Sequence, residues 1–450
     1  MTGQLTSHIG IVGGGVLGMF LALKLRQSGA RVTLLESAPQ TGGLAVSDAV
    51  GGYTWDRFYH VILLSDLHTR ALLEELGIAD KLRWGITRTG FYTDGKLYSL
   101  SNNFEFLSFP PLSLFDKLRL GGTIFLASRI RDGAALERVL CEQWLTKWSG
   151  RRVVDKIWLP LLKSKLGDNY RIASAAFIWA IIARMYAARR SGLKREMFGY
   201  VDGGYDLVLK KLQERLDASG VETRYGAKVA QIFDSGHGTT VTLAGGQTLQ
   251  FDKVVATVPT SAVASLCPQL REEEKARLNN VVYQGIVCAS LLTREPLGPF
   301  YVTNITDRWV PFTGVIEMTT LVDRERFGGN SLVYLPCYLT QQDAYWQKSD
   351  AEVEADFLGA LERMYPHFRR DQVVGFKVFR ARRVLAISTL EYSRRSLPEV
   401  RTSLPNVFMM NSAQIANGTL NVNETLGVVH SQLPQLMAHL DGGSSISRAA

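Results

Sequence analysis

Three glycines, Gly13, Gly15 and Gly18, stand in the order G-x-G-x-x-G, and Glu36 follows eighteen residues after the last of them. This spacing suits a bound diphosphate. The first glycine permits a tight turn, the second lets the main chain approach the phosphates, and the third lets a helix pack closely on a strand. The N–H groups of Gly15, Val16 and Leu17 would then open a helix whose positive dipole end faces the anion. Glu36 is placed to accept a hydrogen bond from a ribose 2′-OH. A carboxylate there disfavours a 2′-phosphate, so FAD or NAD is expected rather than NADP.

The elements around these residues fit that use. Residues 8–12, HIGIV, are β-branched and read as a buried parallel strand. The run MFLALKLRQSG after Gly18 reads as a helix closed at Gly29, and Arg31 to Leu35 reads as a second strand ending on Glu36. The result is a complete βαβ unit. Further candidate residues follow at short range: Gly42-Gly43-Leu44, then Asp56, Tyr59 and His60 in GGYTWDRFYHVIL.

The chain has 450 residues, 46% of them hydrophobic and 21% charged, enough to bury a large core in two intertwined domains. Its four cysteines, Cys141, Cys267, Cys288 and Cys337, form no C-x-x-C pair. A zinc ribbon, a ferredoxin-type cluster and a disulfide scaffold are therefore disfavoured, no metal is expected, and a reducing, cytoplasmic setting is. The strand at residue 8 leaves no room for a signal peptide. The longest apolar run, Ile172 to Ala183, is too short to span a bilayer. The net charge of +9 is uneven: Lys147 to Arg195 holds twelve Lys or Arg against Asp155 and Asp168.

The βαβ unit, the Gly42-Gly43 pair and the aromatic–Asp segment after it resemble the flavin-containing amine oxidoreductase superfamily. That group includes monoamine oxidases, protoporphyrinogen oxidases, phytoene desaturases and UDP-galactopyranose mutases. The resemblance implies an α/β protein: a discontinuous Rossmann-type FAD domain plus an α+β substrate domain with an antiparallel sheet and helices. The FAD domain would comprise 1–89, 197–265 and 399–450, and the substrate domain 90–196 (helical and basic) and 266–398. By resemblance, Tyr59 and His60 pass beside the flavin. A strand containing Val229 meets the adenine, and Asn411 and Ser412 hold ribityl or phosphate groups. A last helix starting near Asn421 or Asn423 faces the flavin ring. Many members carry Arg where this chain has Leu44, and Gly-Asp where it has Asn411-Ser412. With no cysteine after Cys337, a cysteinyl–flavin bond near the C-terminus is excluded and FAD is expected to be non-covalent.

Outside that domain, Asp94-Gly95 carries a hairpin signal and 111–192 reads mostly helical. The basic segment 147–195 also holds Trp148, Trp158, Tyr170, Phe177, Trp179 and Tyr186. Three readings are open: solvated helix faces, peripheral contact with an anionic membrane, or steering of an anionic small-molecule substrate. No recognised nucleic-acid module accompanies the charge, so nucleic acid is not an expected partner. A second cluster, Arg380 to Arg395, precedes the last FAD segment, with Tyr392 as a catalytic candidate beside His60.

The expected activity is hydride transfer from a C–H or N–H centre of an organic substrate to flavin N5, in the manner of protoporphyrinogen oxidases. A redox-neutral sugar-nucleotide mutase is the alternative. A flavin-free lipid carrier like the GDP-dissociation inhibitors is a third, opposed by the intact glycines and Glu36.

Overall fold

The structure is a computed structural model and describes residues 7–189, 197–416 and 418–441. The end of the basic segment, 190–196, and the side chain of Tyr186 lie outside it. Among the described residues, five strands form one parallel sheet in the spatial order Val407–Met409, Lys253–Ala256, His8–Val12, Arg31–Leu35, Glu222–Arg224. The first strand to be synthesised lies at the centre, and the strand order reverses beside it. In such sheets ligands bind at the carboxyl ends next to that reversal. Helix Val16–Gln27 buries Leu17 through Leu23 without a break, because it lies between the sheet and two more helices, Gly204–Ser219 and Val422–Asp441. Its composition shows this: apolar residues occupy more than one face.

A three-stranded antiparallel sheet, Val229–Asp234, Thr239–Leu243 and Thr248–Phe251, carries the chain from Glu222–Arg224 back to Lys253–Ala256. The second large body is a seven-stranded sheet. Its order is Val373–Ala386, Tyr283–Thr293, Ser331–Leu339, Gly314–Glu317, Val302–Ile305, Thr89–Thr93, Lys96–Ser99. All pairs are antiparallel except Val302–Ile305 with Thr89–Thr93. All eleven residues of Tyr283–Thr293 are buried, as a central strand covered on both faces requires. The hairpin at Asp94-Gly95 turns with both residues at positive φ, 52° and 73°, the geometry that matches strand twist.

From Asn103 to Arg189 the chain is mostly helical, with a core of its own around Trp144, Leu145, Trp158 and Phe177. Strands Leu82–Ile86 and Met197–Val201 pair antiparallel where it leaves and re-enters the rest of the molecule. Among the described residues no helix is long and apolar enough to cross a membrane, and no group of three or more metal-ligating side chains is present.

Candidate active site

The first glycine turn is held by main-chain bonds. Gly13, at φ 113°, donates its N–H to Leu35 O at 2.9 Å. A Cβ on Gly18 would fall 1.9 Å from the Gly13 carbonyl oxygen, so no other residue fits there. Gly15 differs: a Cβ on it would meet nothing nearer than Gly43 Cα at 4.0 Å. Its outward face is open, as a backbone cradle for phosphates must be. The helix it precedes has no side-chain cap and no acid in its first turn, so the N–H groups that open it at Val16 and Leu17 meet no competing anion.

Gly42 and Gly43 belong to the same cradle. Gly42, at φ 123°, donates to Gly14 O at 2.7 Å, and a Cβ on Gly43 would lie 3.1 Å from Gly15 Cα. Two glycine loops therefore lie back to back, and Leu44 follows, half-buried. Glu36 is fixed from two sides: Oε2 accepts from Gly14 N and Oε1 from Ala38 N, both at 2.7 Å. Ser37 Oγ also donates to Oε1 at 3.1 Å, and the carboxylate keeps lone pairs able to accept from ribose hydroxyls. Val229 opens the strand just beyond Ala227, whose N–H bonds Glu36 O at 2.7 Å.

Helix Gly204–Ser219 joins this cradle to a second region. Gln213 accepts from Thr41 Oγ1 at 3.1 Å, and Leu209 packs against Gly42. At the helix N-terminus, Tyr205 N donates to the buried carboxylate of Asp56 at 2.8 Å. An acid at that end complements the dipole. Asp56 Oδ2 lies 3.6 Å from His60 Nδ1, a buried nitrogen with no hydrogen bond of its own, and the His60 ring packs on Tyr205 with centroids 4.8 Å apart.

Around His60 stand residues brought from far along the chain. Tyr59 and Tyr338 share a hydroxyl–hydroxyl bond of 2.8 Å, and Tyr334 donates to Asp56 O at 2.6 Å. Burial raises the pKa of all three phenols, Tyr338 to about 12, so they stay neutral donors. Asp66 accepts from Leu63 N and pairs with Arg184 at 2.9 Å. Lys165 is hemmed in by protein, so desolvation and then the charge of Arg184 lower its pKa; yet much of its side chain is open to solvent. A cavity of about 270 Å³ opens beside Tyr338, lined also by Lys163 and Arg308 and by Asp155 and Asp307, which are engaged by Arg151 and by the N–H groups of Asp94 and Gly95.

The remaining candidates have other partners. Asn411 donates to Val258 O and accepts from Ala413 N, both at 3.0 Å, which fixes the turn after Val407–Met409; Ser412, next to it, is half-exposed. Asn421 caps the last helix by accepting from Glu424 N at 2.9 Å. Asn423 Oδ1 accepts from His68 N and Thr69 N, so it caps helix Leu67–Glu75 across 354 residues of chain. Tyr392 is buried, its hydroxyl bound to Ala413 O at 2.7 Å, and burial raises its pKa. The tyrosine thus ties down the Ser412 turn. Asp66, Arg184, Lys165, Tyr205, Tyr334 and Tyr338 were not singled out from sequence. Tyr205 alone carried a signal, following Gly203-Gly204 in the second segment assigned to the FAD domain.

The open face of Gly15, the uncapped helix and the fixed Glu36 fit the diphosphate and ribose of an extended dinucleotide. All four thiols are buried, with the pKa of Cys267 and Cys337 pushed up to about 12 by burial. A thiolate is therefore not present for a covalent bond at neutral pH. The fold and site define a flavoprotein oxidoreductase.

The sequence profile of the flavin-containing amine oxidoreductases matches residues 18–419, and the chain belongs to that family, with FAD as its cofactor. It is 24% identical over 356 residues to coproporphyrinogen III oxidase of Propionibacterium freudenreichii subsp. freudenreichii, covering 67% of this chain and 66% of that one. To protoporphyrinogen oxidase 2 of Arabidopsis thaliana it is 27% identical over 162 residues, 34% of this chain and 32% of the other. The chain thus spans less than two thirds of the length of these relatives. Among solved structures, one named for a protoporphyrinogen oxidase of Exiguobacterium sp. 255-15 superposes with TM-score 0.78 at 16% identity, over 97% of this chain and 100% of that one. Reduced UDP-galactopyranose mutase gives 0.71 at 15%, over 98% and 97%. At these identities the structures establish the fold.

Proposed function

We propose that this enzyme is an FAD-dependent oxidase of porphyrinogen-type substrates, removing a hydride from a C–H centre conjugated with ring nitrogens. One observation carries the reading. In the chamber around His60 both acids are already engaged, Asp56 by Tyr205 N and Ser47 Oγ, and Asp66 by Arg184 and Leu63 N. The walls are neutral phenols, and the cations next to them are Arg184, paired with Asp66, and Lys165 beside Arg184. A protonated amine would meet no free carboxylate there, whereas a large neutral or carboxylated ring system meets aromatic surface and a cation. The names of the porphyrinogen-oxidising relatives support the same substrate class.

Bound FAD would supply hydride acceptance and re-oxidation. The chain's own residues would do the rest. The glycine loops and Glu36 anchor the dinucleotide, and Tyr59 and Tyr338 present a paired edge to the substrate. His60, turned toward Asp56, would hold the proton released when the oxidised substrate loses an N–H. Anaerobic titration tests this. Coproporphyrinogen III or protoporphyrinogen IX should bleach the flavin and yield the fluorescent porphyrin, while putrescine and benzylamine should not. Bleaching by amines alone would overturn the reading. Turnover of a UDP-sugar only after dithionite reduction, without net electron transfer, would replace it with the mutase.

A further inference from the structure

Helix Leu114–Arg129 is built inside out. Its buried side carries Asp116, Lys117, Leu120, Thr123 and Ala127. Its outer side carries Leu114, Phe115, Leu118 and Phe125, between 52% and 67% exposed. A helix on the surface of a water-facing domain has the opposite pattern. The inward polar groups are satisfied. Asp116 and Ser113 form a capping box, and Lys117 Nζ donates to Leu107 O at 2.7 Å. A relay runs from Trp158 Nε1 to Ser149 Oγ, on to Thr123 Oγ1 and then to Arg119 O, each step 2.9 Å. The inversion is therefore a stable arrangement, and the outward apolar residues are not displaced from a core that lacks them.

The neighbouring helix Asn103–Ser108 adds Phe104, 79% exposed, and Leu107. Of the fourteen large apolar side chains exposed among the described residues, eight lie between Leu97 and Trp148. Cations border the same face. Arg119 lies over the Phe115 ring, Arg129 over Phe125 and Lys147 over Trp148, at 5.8, 4.8 and 5.3 Å. Arginine and lysine held flat against exposed aromatics are arranged for an interface where apolar groups sink and charges stay at the headgroups.

We propose that the face formed by residues 97–148 docks the enzyme on one leaflet of an anionic lipid bilayer. This places the contact mainly outside the basic segment 147–195, sharing with it Lys147 and Trp148, and does not rest on the substrate reading. A second copy of the chain is the competing occupant. A two-fold contact through this face would bring Arg119, Arg129 and Lys147 of both copies into one interface, a concentration of like charge that phospholipid phosphates would instead neutralise.

The test is co-sedimentation of the full-length, FAD-loaded enzyme with phosphatidylcholine vesicles, with and without phosphatidylglycerol. The enzyme should pellet with the anionic vesicles, and binding should fall on the order of tenfold without phosphatidylglycerol or at raised salt. The triple variant Leu114→Ser, Phe115→Ser, Leu118→Ser should lose on the order of tenfold or more in binding. Its flavin absorbance and melting temperature should be unchanged, because these side chains support no core. Arg129→Glu with Lys147→Glu should remove the preference for anionic lipid. No binding to either vesicle, or a triple variant that binds like the parent, would overturn the proposal. So would a lipid-free dimer that the triple variant dissociates, since it would assign the face to a second copy.

Discussion

At the nucleotide end of the site, main-chain atoms make the contacts: Gly13, Gly15 and Gly43 bring backbone to backbone, and one side chain, Glu36, completes the arrangement. At the ring end, side chains make them. Tyr205 from a helix and Tyr334 and Tyr338 from one strand meet the segment that holds Asp56, Tyr59 and His60. The first region has no room for an added atom at Gly13 or Gly18 and needs little chemistry from its residues. The second is defined by chemistry and rests on a sheet that fixes it from behind. Substitutions should therefore act on cofactor retention in one region and on rate or pH response in the other.

The sharpest break of that contrast is Gly18→Ala. With its Cβ 1.9 Å from the Gly13 oxygen, the turn cannot form, and the variant should lose both flavin and cooperative melting, at a cost above about 3 kcal/mol. Next is Glu317→Gln in the seven-stranded sheet. Glu317 is buried, accepts from Leu297 N at 3.0 Å, and is pushed up to about 7 chiefly by desolvation. The folded state then binds more protons than the unfolded one between about pH 4.5 and about 7. Stability should therefore fall as pH rises through that window, by about 3 kcal/mol. The glutamine variant should show a flat profile in urea melts, and an unchanged slope would place the charge elsewhere. Gly15→Ala should keep the melting temperature while weakening FAD on the order of 100-fold, about 2.7 kcal/mol, measured by flavin release. If it retains flavin, the phosphates do not lie on that face. Lys165→Met should hold FAD normally yet slow anaerobic reduction by a carboxylated porphyrinogen about tenfold, about 1.4 kcal/mol, with less effect on an esterified one.

The same contrast governs what could be read in advance. The cradle was legible because its demands fall on glycine, and glycine spacing survives in sequence as a pattern: Gly13, Gly15, Gly18, then Gly42-Gly43. The central strands and the Asp94-Gly95 hairpin were legible for similar local reasons. The chamber was not. Tyr338 looks like any aromatic in a buried strand until the sheet register lays Ser331–Leu339 over Tyr59. Lys165 and Arg184 were merely two of twelve positive charges in one basic segment. Tyr392 is a catalytic candidate and Asn423 a cofactor candidate by sequence, and the structure gives their polar atoms to Ala413 O and to the helix at Leu67. A residue's type tells what it can bond, and only the fold tells which bond it has already made. The inverted helix at 114–129 escaped notice because its polar and apolar residues alternate at an ordinary helical period; the sequence does not say which side faces in.

The parallel sheet carries one more consequence. Its outer strand, Val407–Met409, and the Asn411 tie to Val258 come from the last part of the chain. A chain truncated near residue 400 therefore lacks the wall beside Lys253–Ala256 and should remain colourless even in excess cofactor, whereas one extended through that strand and the Asn411 turn should become yellow.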